Sequence, residues 1–142
     1  MKIRVVLDTN MFIGVCLGVG AANQTLAAGL RGRYTPLMSS ALFLEHEAVL
    51  GCDALFATCR LSREERSELL DIYLATCEWT RIYFGWRPNL RDESDNYLVE
   101  LAVAGGAHYL VTRNMRDFAV NELKFPGLRI VSPENFLKEV SP

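Results

Sequence analysis

The run from Tyr97 to Val111 leaves this chain few ways to fold. Its apolar positions are nearly continuous from Tyr97 to Ala104 and are interrupted by Gly105-Gly106. Tyr109-Leu110-Val111-Thr112 then read as a short buried strand that ends at the polar Arg113-Asn114. Helix, glycine stop and strand in so short a span make half of a βαβ unit. Strands apolar on both faces belong to sheets covered on both sides, and such sheets are typically parallel. A second strand of that kind opens the chain, where Ile3-Arg4-Val5-Val6-Leu7 ends on the polar triplet Asp8-Thr9-Asn10. The predicted fold is therefore α/β and three-layered, a mostly parallel central sheet with helices on both faces, in one domain over residues 1–142.

The remaining elements follow from local pattern. Residues 11–30 read as helical but interrupted, with Gly14, Gly18 and Gly20 marking a flexible passage before a second helical piece at 23–30. Residues 34–38 form a short strand that Pro36 pushes towards a sheet edge. Ser39-Ser40 cap a helix over 41–50 whose apolar stripe is Ala41, Leu44 and Ala48, with Glu45 beside the stripe and His46 on the surface. Ser62-Arg63-Glu64-Glu65 is a capping box, so 63–77 is a helix with Leu69, Leu70, Ile72, Tyr73 and Leu74 inward. Glu64, Arg66, Glu68 and Asp71 make its solvated face. Trp79 and Trp86, near Arg81 and Arg87, are of a type that stacks on bases, but aromatics flanking a strand more often pack as core or interface. A last strand at 128–131 leads through Ser132-Pro133-Glu134 into a final helix.

Composition narrows the setting. The opening apolar run is cut short by Asp8, and the stretch 11–22 is too short to span a bilayer, which predicts a cytoplasmic protein without a membrane segment. Cys16, Cys52, Cys59 and Cys77 form no close-spaced pair, so packed, reduced thiols are expected and a structural zinc is not. The net charge of −2 argues superficially against a nucleic-acid partner. Setting aside four clustered acids leaves 13 acidic against 15 basic side chains, a net of +2, and 12 of those bases are Arg, the residue best suited to phosphate.

Those four acids are Asp8, Glu45, Asp95 and Asp117. Asp8 falls at the carboxyl end of the first strand, the edge where open α/β sheets bind ligands. Asp95, within Arg91-Asp92-Glu93-Ser94-Asp95-Asn96, stands at a helix start and shares a face with Val99 and Ala102, so it tops a core-facing stripe. Taken singly, Asp8 and Asp95 read equally well as helix caps and Glu45 as a solvated residue. Taken together they converge, because strand ends and helix starts share one edge of a parallel sheet. Close carboxylates need a counter-ion, and all-oxygen ligands point to Mg²⁺ or Mn²⁺, which would activate water against a phosphodiester.

The motifs Val6-Leu7-Asp8-Thr9-Asn10, Glu45 after Ser39-Ser40, Arg91 to Asn96 leading to Leu101-Ala102, Gly105-Gly106-Ala107 and Leu110-Val111-Thr112-Arg113-Asn114 together resemble a PIN-domain protein. The similarity extends through Ile130-Val131-Ser132-Pro133-Glu134 and is greatest to the branch of toxin components of bacterial toxin–antitoxin systems. The resemblance implies Asp8, Glu45 and Asp95 as the first three acids of a metal site, with Thr9, Asn10 and Thr112 as supporting neighbours. At the fourth position this sequence departs: many members have Asp where it has Asn114, and Asp117, one helical turn on, is the expected substitute. The implied function is a Mg²⁺- or Mn²⁺-dependent endoribonuclease acting on single-stranded or looped RNA, homodimeric and partnered by an antitoxin. Two other readings stand beside it: a catalytically weak RNA-binding or regulatory module, and a phosphotransferase of the haloacid-dehalogenase kind. The second wants an Asp where the chain has Asn10.

Overall fold

In the computed structural model the description covers residues 2–82, 93–113 and 127–140, with the backbone alone described at 93–96. The β-branched run at the amino end becomes β1 (Arg4–Leu7), followed by α1 (Asn10–Cys16), α2 (Gly20–Leu30), β2 (Thr35–Met38) and α3 (Ser40–Leu50). A 3₁₀ turn (Asp53–Phe56) leads to α4 (Arg63–Leu74) and β3 (Glu78–Trp79). Next come α5 (Glu93–Ala104), β4 (Tyr109–Val111), β5 (Arg129–Val131) and α6 (Pro133–Val140). The strands form one parallel sheet in the order β3-β2-β1-β4-β5. From β1 the chain steps outward to β2 and β3, then returns to add β4 and β5 on the other side. The point of reversal lies between β1 and β4, and in such sheets the crevice at the carboxyl ends of those two strands is where ligands bind.

Helices cover the sheet because its strands are apolar on both faces. Val5, Val6, Leu7, Leu37, Met38, Leu110 and Val111 are all buried. Leu98, Leu101 and Ala102 of α5 close over β1, β2 and β4, while α6, anchored by the buried Phe136, packs on β4 and α2. Each such Leu or Phe contributes roughly 1.5–3 kcal/mol of burial. The glycine stop works as expected: α5 ends at Ala104, and Gly106 adopts φ +64°, a left-handed conformation open to glycine at no steric cost. Gly105 serves proximity instead, since a Cβ there would lie 2.6 Å from Leu37 Cδ1 and push α5 off β2.

Several expectations need correction. Residues 11–30 are two well-packed helices that meet at 108°, and the second begins at Gly20 instead of residue 23. Gly14 lies inside α1, where a Cβ would sit 2.9 Å from Ala22 Cβ, so it permits close helix packing and is no flexible link. β2 is not an edge strand. It tolerates Pro36 because Thr35 donates towards β1, so residue 36 faces the other side, where β3 pairs only from Leu37 onwards. In α3 the inward residues are Leu42, His46 and Leu50, whereas Leu44 of the expected stripe is 60% exposed. Helix α4 stops at Leu74, and Ile72 points outward. Arg66 is 3% exposed, not solvated. Its guanidinium donates to Leu50 O (2.9 Å), Leu61 O (3.2 Å) and Asp53 (2.6 Å) and lies over the Phe56 ring. Among the four free cysteines, Cys52 is exposed. No single described helix is long and apolar enough to cross a membrane.

Candidate metal centre at the carboxyl edge

Asp8 is the residue that immediately follows β1, and Thr112 the one that follows β4, so the two flank the point of reversal in the sheet. The ladder holds them in register, with Asp8 N–H donating to Val111 O and Thr112 N–H to Val131 O, each at 3.0 Å. Thr112 is fully buried, and its hydroxyl donates to Asp8 Oδ2 at 2.7 Å. Asn10 N–H reaches Asp8 Oδ1 at 3.3 Å. These contacts fix the rotamer of a carboxylate that is itself 6% exposed. A carboxylate so shielded costs several kcal/mol unless charge or hydrogen bonds compensate it. Thr9 occupies the cap position of α1 without capping it, and its buried hydroxyl has no hydrogen-bond partner among the described residues. Buried polar atoms of this kind mark a place for a water, an ion or a ligand.

Glu45 approaches from α3. That helix starts directly after β2, with Ser39 accepting from Leu42 N at 3.2 Å, so its first turns rise from the same sheet edge. Helix α3 contacts α1, and the Phe12 and His46 rings lie 5.0 Å apart between them. Glu45 precedes His46 on the flank of this buried face, and one of its carboxylate oxygens is shielded from solvent. His46 is a residue the sequence reading misplaced. It is completely buried, neither ring nitrogen has a partner among the described residues, and burial pushes its pKa down to about 4, so the ring is neutral at physiological pH. Its spacing of four from both Leu42 and Leu50 is the signal that would have placed it inside.

Asp95 reaches the same edge by topology. The end of α5 turns into β4 at the amino edge of the sheet, where Arg4 Nε donates to Gly105 O at 2.7 Å and Arg4 N–H to His108 Nδ1 at 3.0 Å. A helix of 12 residues spans about 18 Å, so the first turn of α5, which contains Asp95, lies at the opposite, carboxyl edge. Val99 and Ala102, which share its helical face, are both buried. The Asp95 side chain, Asn114 and Asp117 lie outside the described residues. Among the described ones, no set of three His, Cys, Asp or Glu side chains is placed to hold a metal. The described donors at this edge, Asp8, Glu45 and the Thr9 hydroxyl, are all oxygen, a set that suits a hard divalent cation and not zinc.

Comparisons with known proteins agree with this fold. A family model described as PIN domain matches residues 4–116. Among solved structures, VapBC2 from Rickettsia felis, crystallised with a DNA fragment from its promoter, superposes with a TM-score of 0.61 at 19% identity, covering 92% of this chain and 98% of that one. PAE2754 from Pyrobaculum aerophilum gives a TM-score of 0.56 at 15% identity, over 98% and 90% of the two chains. No curated protein sequence matches. With the family model spanning β1, the Asp8–Thr112 pair and the helix that carries Asp95, the chain belongs to the PIN-domain family, whose members are generally nucleases.

Proposed function

We propose that this chain is a Mg²⁺- or Mn²⁺-dependent endoribonuclease that cleaves single-stranded or looped RNA in the cytoplasm as the toxin of a toxin–antitoxin pair. The observation that carries the reading is the buried Asp8 carboxylate, held by Thr112 at 2.7 Å at the reversal point of a PIN-domain sheet. Asp8 and Asp95 would hold the cation, with Asp117 in place of the neutral Asn114 as a further ligand and Glu45 as the remaining acid of the site. When bound, the cation would supply a water of lowered pKa and a charge to stabilise the leaving oxygen. Thr112 keeps Asp8 in one rotamer, so that no orientation remains to be fixed during the reaction. Glu45, on the flank of α3, would take a proton from the attacking water. The antitoxin partner is supported by the likeness to VapBC2, a toxin–antitoxin complex on promoter DNA. A homodimer belongs to the same reading, and sedimentation should then show twice the 16.0 kDa chain mass.

The test is cleavage of single-stranded RNA with and without Mn²⁺. Wild type should cut only with the ion, Asp8→Asn and Asp95→Asn should be inactive, and Glu45→Gln nearly so. Asp117→Asn should lower activity sharply while Asn114→Asp preserves it. If Asp117→Asn stays fully active and Asn114→Ala is dead, the amide is the fourth participant instead. RNA cleavage that persists in EDTA, or in Asp8→Asn, rejects the mechanism.

A further inference from the structure

A cleft of about 830 Å³ opens beside the acid site, at the carboxyl ends of β2 and β3. Ser39, Trp79, Thr80, Arg81, Tyr97 and Glu100 are among its lining residues. Its distance from Asp8 follows from strand register. The pairs Val5 with Pro36 and Met38 with Trp79 extend to a row of Asp8, Ser39 and Thr80 along the edge, and Thr80 N–H still donates to Met38 O at 2.8 Å. Two strand spacings of about 4.8 Å place Thr80 roughly 10 Å from Asp8.

Trp79 is 51% exposed although it lies in a strand, and the Phe43 ring braces it from the side at 5.8 Å and 63°. An indole held in place with its remaining surface open to solvent is a stacking platform whose ordering cost is already met by the fold. Tyr97 adds a second aromatic from α5, and Arg81, exposed, adds a cation. Glu100 is the acidic member of the lining. Its charge repels phosphate, which leaves Arg81 as the group for the backbone. Aromatic faces with an interleaved Arg are the composition that binds single strands, since every base offers a π face and every nucleotide a phosphate.

We propose that this cleft is the subsite for an unpaired base of the RNA chain next to the cleaved linkage, with Trp79 and Tyr97 stacking on the base and Arg81 facing its phosphate. The proposal rests on the nuclease reading for its RNA and for its direction along the edge, but binding at the cleft does not require catalysis. A duplex does not fit the role, because its bases are already stacked on one another.

The experiment measures fluorescence anisotropy of a labelled single-stranded RNA oligonucleotide in EDTA, where no metal-dependent cutting occurs. Trp79→Ala and Arg81→Ala should each weaken binding by about five-fold or more, and Trp79→Phe should restore most of the loss. The same sequence annealed into a duplex should bind more weakly than the single strand. Trp79 is half exposed, so its replacement should leave the circular-dichroism melt close to that of wild type. If both alanine variants hold the oligonucleotide as tightly as wild type, or if wild type does not hold it, the subsite is refuted. If they hold RNA normally but lose a protein partner, the cleft belongs to that partner and the proposal likewise falls. Normal RNA binding that depends on Trp79, combined with no cleavage after Mn²⁺ is added, would instead reject the nuclease reading and leave the subsite standing.

Discussion

Replacing Thr112 with valine should damage the site without touching a metal ligand. The substitution keeps the volume but removes the hydroxyl that donates to Asp8 Oδ2 at 2.7 Å. A hydrogen bond to a charged group contributes about 1.5–3 kcal/mol, and water cannot easily replace it because Thr112 is fully buried and Asp8 only 6% exposed. The metal-free protein should therefore lose about 2 kcal/mol, roughly 6 °C in Tm for a chain of 142 residues. Thr112→Ser keeps the donor and deletes a methyl, at a cost of about 1 kcal/mol for the small void. Stability alone separates the two poorly, but cation affinity should separate them well. Loss of the partner that orients a ligand typically costs about 10- to 100-fold in metal binding, so calorimetric Mn²⁺ titration should find valine weakened by that factor and serine within about three-fold of wild type. Equal Mn²⁺ affinity in the valine and serine variants would show that the hydroxyl does not prepare Asp8 for the ion, and the reasoning would fail.

Two further outcomes test the fold around the site. Arg66→Ala should cost about 3 kcal/mol in urea unfolding, because the Leu50 carbonyl loses its buried partner and Phe56 loses the guanidinium over its ring. Asp53→Ala should cost under about 1 kcal/mol, since the Asp53 side chain is 67% exposed and water takes over its role; equal losses in the two would refute the assignment. Among the thiols, burial pushes Cys16 up to about 11 from 9.0, which leaves about a hundred-fold less thiolate at neutral pH. Native-state alkylation at pH 8 should label the exposed Cys52 well before the buried Cys16. The raised pKa favours the neutral thiol in the folded state, so this contribution to stability is present at neutral pH and is lost as pH rises from 9.0 towards about 11; fast native labelling of Cys16 would contradict its burial.

What was legible in the sequence was what depends on neighbours along the chain. The Ser62 capping box forms with both of its hydrogen bonds, the glycine stop falls after Ala104, and Asp8 lies at a strand end, because a few adjacent residues decide each of these. What was misread depends on partners far away in sequence. Arg66 is held by Leu50, 16 residues earlier, and nothing local distinguishes it from the solvated charges around it. Helix α3 carries apolar residues on nearly every side, Leu42, Phe43, Leu44, Ala48, Val49 and Leu50, so its spacing admits two stripes, and packing against α1 and α5 chose the one with His46 inside. Pro36 misled because the argument against proline in a central strand assumes a neighbour along the strand's whole length, and β3 is only two residues long. At the site, the order of motifs singled out Asp8, Glu45 and Asp95 as candidates with Thr9 beside them, while the burial of the Thr9 hydroxyl showed only in three dimensions.

The central claim, that Asp8 holds a divalent cation with the other acids of this edge, is tested most directly by anomalous diffraction from a crystal soaked in Mn²⁺. The account predicts one strong anomalous peak about 2.1 Å from a carboxylate oxygen of Asp8, with oxygens of Asp95 and of Asp117 completing the shell. A well-ordered Asp8 without a peak beside it, or a peak bound elsewhere on the chain, would contradict the account.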